Sequence, residues 1–418
     1  MHWASASAVV FPALLALCAG QQQQPLSEVG HSGSSAASQH ASAADAPSYR
    51  DKLLQLLESL VSIPSVSGEE NEVGQFLVDY LEQEQYHVAI QFIAPPKDNP
   101  DVPDRFNVLA WRGERKPNYK ALVTSHIDTV PPHIPWDIEG GEIGKHTIIK
   151  GRGTTDAKGS VATQILAVNE LLSTNKNVNP EDIILLFVVG EETTGDGMKT
   201  FSASLEHMNP PLSFDSAIFG EPTENKLACG HKGALFCTVV AKGKDAHSGY
   251  PEMGKSANEL MIRAMNKIYD TDLGASPLFG NTTFNAGRFD GGVASNVIPA
   301  RAFVDLAARV ASGSEKEGHK EVQKKILDIL TEVDDEAFTF ECTHGYGPYE
   351  SNCDVEDFDQ IVVNYGTDIP NLDGDYVRYL YGPGSILVAH GDHEYITVGD
   401  LEQAVEDYQK LILHALNQ

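Results

Sequence analysis

The hydrophobic pattern of the chain changes period several times. Leu53, Leu54, Leu57, Leu60 and Val61 recur at helical spacing and predict a helix that begins near Tyr49, after which the segment IPSVSGEEN turns into a second helix. Short unbroken apolar runs follow at 121–123, 183–189 and 217–219, of the kind buried strands use, with a helix-like run at 160–172 between the first two. Strands and helices mixed in this way, up to about Gly230, predict an α/β layer structure.

Beyond Lys232 the pattern changes. Residues 234–242 read as a strand, and 257–269 as a helix with apolar residues at Ala257, Leu260, Met261, Ala264, Met265 and Ile268. Strands at 283–289 and 300–310, a helix at 322–333 and a strand at 337–342 complete the order βαββαβ, that of a ferredoxin-like module. A strand near 360–365, a glycine turn at Gly382-Pro383-Gly384 and a helix over about 403–416 return the chain to the first domain. At 418 residues two domains are expected. The first is discontinuous, 48–231 plus 343–418, and flanks an insert at 232–342.

The apolar runs end on residues that carry chemistry. The first leads into SHIDTVPP, where His126 and Asp128, two apart on an extended segment, point to the same side. His126 can offer one ring nitrogen to a metal while Asp128 steadies the other. Asp156 follows in GRGTTDAKGS, between a glycine-rich turn and the helix-like run. The run 183–189 ends in Gly190-Glu191-Glu192, the run 217–219 in Gly220-Glu221-Pro222-Thr223, and His393 arrives late in HGDHEY. Each residue alone has a bland reading, but ligands bind at the carboxyl ends of strands in open α/β sheets, and the joint order points to a metal site. Zinc takes imidazole nitrogen and carboxylate oxygen, and paired metals roughly 3.5–4 Å apart can acidify a water and stabilise a tetrahedral oxyanion. Neighbours at a strand end project to different sides, so Glu192 can bind metal while Glu191 faces the substrate as general base.

These motifs resemble the M20 family of zinc peptidases and deacylases, in particular its subfamily A, and the likeness to the family's secreted fungal carboxypeptidases is close. It rests on SHIDTVPP, GRGTTDAKG, VGEETTGDG, FGEPT, HKGALFCTVVAKGKDAHSGYPEMGKSA, GGVASNVIP and GDHEY, which span most of the chain from about Leu53. The resemblance implies a zinc-exopeptidase-like catalytic domain, a mixed sheet flanked by helices, with an inserted ferredoxin-like lid that forms the dimer interface in dimeric members. It implies two zinc ions per subunit, one held by His126, Asp156 and Glu221 and the other by Asp156, Glu192 and His393, with Asp156 bridging and its peptide bond to Ala157 cis. His247 would stabilise the oxyanion, from the partner subunit in dimers. Asn296, Arg309 and the turn glycines Gly382 and Gly384 would hold the free carboxylate of a peptide or N-acyl amino acid. Arg309 stands four residues after Asp305, where many relatives carry a tighter Asp-x-Arg. The activity implied is hydrolysis of an amide next to a free C-terminal carboxylate, with N-acyl-amino-acid deacylation as the alternative. An inactive metal-binding relative would have no use for Glu191, and a serine hydrolase would need a G-x-S-x-G elbow, which is absent.

Composition narrows partners and compartment. Thirty Lys and Arg against 59 Asp and Glu leave a formal charge of −29, which disfavours nucleic acid and anionic membrane. The apolar run 9–19 is too short to span a bilayer and reads as a secretory signal within 1–20. The Ser-, Ala- and Gln-rich tract 21–47 has no hydrophobic period and reads as disordered or as a propeptide. Of the five cysteines, Cys18 lies in that signal; Cys229, Cys237, Cys342 and Cys353 permit three pairings in an exported protein, and spacing does not choose among them. Asn281-Thr282-Thr283 is an N-glycosylation sequon that would face solvent.

Overall fold

The strand Ile183–Val188 (IILLFV) is buried along its whole length, and a six-stranded sheet is built around it. In spatial order the strands are His87–Ile93, Arg105–Trp111, Ile183–Val188, Asn118–His126, Ser213–Gly220 and Val377–Tyr381. The last four run parallel, while the first two join by antiparallel pairing. The computed structural model describes residues 46–95 and 104–417, so the expected signal and all but the end of the tract 21–47 lie outside the described residues.

Both faces of this sheet are covered. Ala121, Val123, Leu185, Phe187 and Ile218 enter a core shared with the helices Arg50–Ser62, Lys158–Thr174 and Val398–Leu416. Their neighbours Leu122, Ile184, Leu186, Ala217 and Phe219 enter a second core with Met198 and Phe201 of the helix Asp196–Ser204. Successive side chains alternate between two dry faces, which is why these strands read as unbroken apolar runs. The parallel strands place His126, Gly190, Gly220 and Gly382 at or just past their carboxyl ends, along one edge of the sheet.

The insert is a four-stranded antiparallel sheet in the order Thr283–Gly291, Arg301–Val310, Gly233–Lys242, Phe338–Tyr346. The helices Ala257–Tyr269 and Gly318–Val333 share its separate core, through Met261, Met265, Ile326 and Leu330 among others. This is the expected βαββαβ module, with its last strand running on past Cys342 to Tyr346. Two disulfides choose one of the three pairings: Cys229 with Cys353, and Cys237 with Cys342, which face each other across paired strands of the insert. The expected strand near 360–365 forms at Gln360–Val363 but joins Leu227–His231 and Tyr349–Glu350 in a small separate sheet. The returning segment reaches the central sheet through Val377–Tyr381, which the hydrophobic pattern did not single out. Asn281 is exposed. Among the described residues no helix is long and apolar enough to cross a membrane.

The loop before helix Lys158–Thr174 is fastened from beneath. Buried Lys158 donates through Nζ to the carbonyls of Leu60 and Ile63, both at 2.8 Å, where the first helix ends. At Gly159 an added Cβ would stand 2.3 Å from the Thr154 carbonyl oxygen. Inside a helix, glycine to alanine ordinarily stabilises by about 0.5–1 kcal/mol. Here we expect the opposite sign: Gly159→Ala should cost about 1–3 kcal/mol through overpacking. A urea titration giving equal or higher stability for the variant would refute this packing.

Candidate metal centre

The strand Asn118–His126 delivers the His126 ring to a buried position at its end. Nδ1 lies 3.0 Å from the backbone oxygen of Asp128 and 3.5 Å from its carboxylate, while Nε2 lies 3.0 Å from Asp156 Oδ1 and 3.9 Å from Glu221 Oε1. Against the penalty of burial, hydrogen bonds to Asp128 and Asp156 raise His126 well above the ordinary imidazole range; a ring that kept only its Nδ1 proton, donated to that carbonyl, would offer the Nε2 lone pair to a metal. The Asp128 side chain chiefly does something else. Its carboxylate accepts from Ser67 Oγ at 2.7 Å and from the backbone N–H groups of Glu191 at 3.0 Å and Glu192 at 3.2 Å. It therefore fixes the start of the loop that carries both glutamates.

Asp156 is held by a residue the sequence reading did not identify. The buried Glu394 carboxylate accepts from the N–H groups of Gly153 (2.9 Å), Thr155 (3.0 Å) and Asp156 (3.2 Å), and pairs with Arg152 Nη1 at 2.7 Å. The Asp156–Ala157 peptide is cis, as expected. The two oxygens of Asp156 face opposite ways, Oδ1 toward His126 and Oδ2 toward the Nε2 of His390, 3.2 Å away.

The second histidine at this centre is thus His390 and not His393. His390 Nε2 also lies 3.0 Å from Glu192 Oε2, whereas the His393 side chain is 90% exposed and pairs with Asp392 at 3.2 Å. Glu394 must point inward to receive the Asp156 loop, and its neighbour His393 is left facing solvent. The motif HGDHEY holds two histidines, and only this anchoring tells them apart.

The carboxylates crowd. The nitrogen and oxygen atoms of His126, Glu191 and Glu221 lie within 4.8 Å of one another, as do those of His126, Asp156 and Glu192. Burial, with the Asp156 charge beside it, pushes Glu192 up to about 7. Burial first, and Glu221 next, hold Glu191 well above the usual carboxylate range. Glu221 is raised by burial and by Asp156 and Glu192, against the pull of His126. Burial acts to raise Asp156 too, but hydrogen bonds from the two histidines hold it low. Hydrogen bonds to Asp156 and Glu192 raise His390 to about 10. The raised carboxyls of Glu191, Glu192 and Glu221 and the raised His390 each express a demand for positive charge at the centre. An imidazole and carboxylate donor set of this density fits divalent metal ions.

Around the centre lies a cavity of about 440 Å³ lined by Glu191, Arg309, Tyr346, Tyr365 and His344 among others. Arg309 stands over the Phe236 ring at 5.8 Å and makes no ion pair within 4 Å among the described residues. The other expected substrate contacts are placed elsewhere. Gly382 gives its N–H to Thr223 Oγ1, and a Cβ there would meet the Glu221 backbone oxygen at 2.4 Å; Gly384 is buried at φ +79°. These glycines let the turn press against the Glu221 segment, and neither lines the cavity. His247 and Asn296 are exposed on the insert, adjacent through the Ser248 N–H to Asn296 carbonyl bond, and also lie outside the cavity. Two further supports were missed. Arg105 clamps Asp196 with two 2.8 Å bonds beneath Gly190, and Asp368 is fully buried, pushed up to about 6 by that burial, on the wall behind His126 and Glu221.

A doubly covered sheet whose strand ends gather histidines and carboxylates beneath an inserted ferredoxin-like module has the form of a metal-dependent hydrolase. Residues 229–337 match the peptidase dimerisation domain of the M20 family. The chain is 52% identical over 392 residues to a peptidase M20 domain-containing protein of Sordaria macrospora, covering 89% of this chain and 86% of that one. It is 45% identical over 385 residues to a probable carboxypeptidase of Aspergillus flavus, covering 87% and 88%. Its fold is similar to the crystal structure of an M20 family metallo-carboxypeptidase from Sulfolobus solfataricus, with TM-score 0.66 and 17% identity over 88% of this chain and all of that one. The chain belongs to the M20 peptidase family, and it is a hydrolytic metallopeptidase.

The anchoring of the Asp156 loop yields a direct expectation. Glu394→Gln removes the charge from a buried carboxylate that serves Arg152 and three N–H groups. It should lower stability by about 3–5 kcal/mol. A denaturation midpoint indistinguishable from that of the parent would show that Glu394 carries no such load.

Proposed function

We propose that this chain is a secreted dizinc exopeptidase that hydrolyses the amide bond next to a free C-terminal carboxylate. The observation that carries the reading is a single cavity lined by Asp156, Glu191, Glu192, Glu221, His390 and Arg309, whose guanidinium makes no ion pair among the described residues. His126, Asp156 and Glu221 would hold one zinc ion and Asp156, Glu192 and His390 the other, and the outward-facing oxygens of Asp156 suit a bridge between them. When bound, such a pair supplies an acidified water and Lewis acidity toward the carbonyl. Glu191, whose backbone is fixed by Asp128, takes the water proton and passes it to the leaving amine. Arg309 clamps the substrate carboxylate with charge-assisted hydrogen bonds.

Other features support the rest of the reading. His247 and Asn296 sit outside the chain's own cavity, so an oxyanion-stabilising His247 acts in the cleft of a second subunit, through a homodimer formed by the insert. Two disulfides suit an oxidising compartment and therefore export, and the exposed Asn281 suits glycosylation.

Metal analysis separates the residue roles. His390→Ala should leave fewer than the expected roughly two zinc ions per chain, and His393→Ala should keep them. Glu191→Gln should also keep them while turnover falls by about 10²–10⁴-fold. Metal loss in the His393 variant, or in the Glu191 variant, would contradict the assignment.

The substrate end is tested with an N-blocked dipeptide and its C-terminal amide. Loss of a charged partner for Arg309 should lower kcat/KM for the amide by at least about 30-fold, and Arg309→Met should erase most of that difference. Equal rates for acid and amide would eliminate the carboxylate clamp.

A further inference from the structure

The cavity around the metal centre does not end at Glu191. A second cavity, of about 380 Å³, shares Glu191, Thr193, His344 and Tyr346 with the first and extends away from the carboxylate cluster. The shared wall comes from an irregularity in the last strand of the insert, where pairing shifts between Cys342 and His344, opposite Cys237 and Phe236. The extra residue, Thr343, lets Thr343 and His344 both reach the cleft, and the His344 ring packs on Phe236 at 4.9 Å. Glu191 thus stands at a fork. A peptide whose scissile bond lies over Glu191 and whose C-terminal residue points to Arg309 can extend its acyl side into the second cavity.

The chemistry of that cavity is polar, with two lysines set against Glu191 and Asp373. No Leu, Ile, Val, Met or Phe lines it among the described residues, which suits it poorly to an aliphatic acyl chain. It is lined by Lys199 from the helix Asp196–Ser204 and by Lys316 from the insert, so a cation approaches from each side of the cleft. Lys316 lies 3.6 Å from Asp373, but Lys199 donates only to the Thr194 carbonyl and forms no ion pair among the described residues. In a protein of net charge −29 an anionic group needs such a local cation to enter a cleft.

We infer that the second cavity is the subsite for the residue on the acyl side of the scissile bond, and that Lys199 selects an acidic side chain there. The inference rests on the carboxypeptidase reading and names its substrate class: peptides with Glu or Asp as the penultimate residue. Lys199 is exposed on its helix, so its replacement leaves the fold intact.

The test uses N-acetyl-X-Ala dipeptides with free carboxylates, X being Glu, Gln, Ala, Leu or Lys, on the zinc-loaded full-length protein. We expect kcat/KM for X = Glu to exceed that for the isosteric Gln by at least about tenfold, mainly through KM, and the ratio to shrink with added salt. In Lys199→Glu the order should invert, with X = Lys cleaved better than X = Glu, which also shows that the variant is folded and active. Glu and Gln cleaved within twofold by the parent, or an unchanged ratio in Lys199→Glu, would overturn the inference and leave the carboxypeptidase reading standing. Absence of cleavage for every X would overturn both.

Discussion

Like charges packed out of water are the constraint on which this structure depends. Asp156, Glu191, Glu192 and Glu221 converge with His126 and His390 among them, and burial raises three of the four carboxyls. Such a cluster is unfavourable unless positive charge is supplied, and that demand is what makes it suited to metal ions. His126 and His390 neutralise part of it, chiefly at Asp156. The surrounding protein supplies fixed backbone geometry, through Asp128 beneath the two glutamates and Glu394 beneath the Asp156 loop. Both anchors are themselves carboxylates that accept N–H groups, so the loops cannot relax apart to relieve the repulsion.

The central sheet makes this possible because its parallel strands end on one edge. Two dry faces bury the strands, and the dry cores hold the strand ends in register while the polar residues begin where the strands stop. The insert contributes the opposite wall. Its last strand carries His344 and Tyr346 into the cleft, and Arg309 ends the strand paired beside Gly233–Lys242. Disulfides in the insert and at its return point keep the two chain crossings close to the cleft.

Much of this was legible beforehand, for reasons particular to each element. The helix Ala257–Tyr269 was read to its boundaries because one face is apolar at regular spacing and the insert has only one core to receive it. Ile183–Val188 was legible because a doubly covered strand has no polar face to interrupt it. Val377–Tyr381 escaped because VRYLY, at the sheet edge, mixes a partly exposed Arg378 with tyrosines and lacks a continuous apolar signal. At the centre, His126, Asp156, Glu192 and Glu221 come together as their positions suggest, each at or just past a strand end or a glycine turn. The turn glycines press against the Glu221 segment, and a glycine that admits a ligand and one that admits a neighbouring backbone look the same in sequence.

The sequence by itself determined the α/β architecture with its inserted module and the strand ends that carry chemistry, because period and adjacency are local properties. It could not decide between His390 and His393, choose among disulfide pairings, or reveal Glu394 and Lys199. Those choices depend on which residues meet across more than a hundred positions of chain, and only the packed structure brings them together. His390 reaches Asp156 because the Glu394 carboxylate, 238 residues from the backbone amide of Asp156, turns the segment so that one histidine faces the cluster and the other faces water.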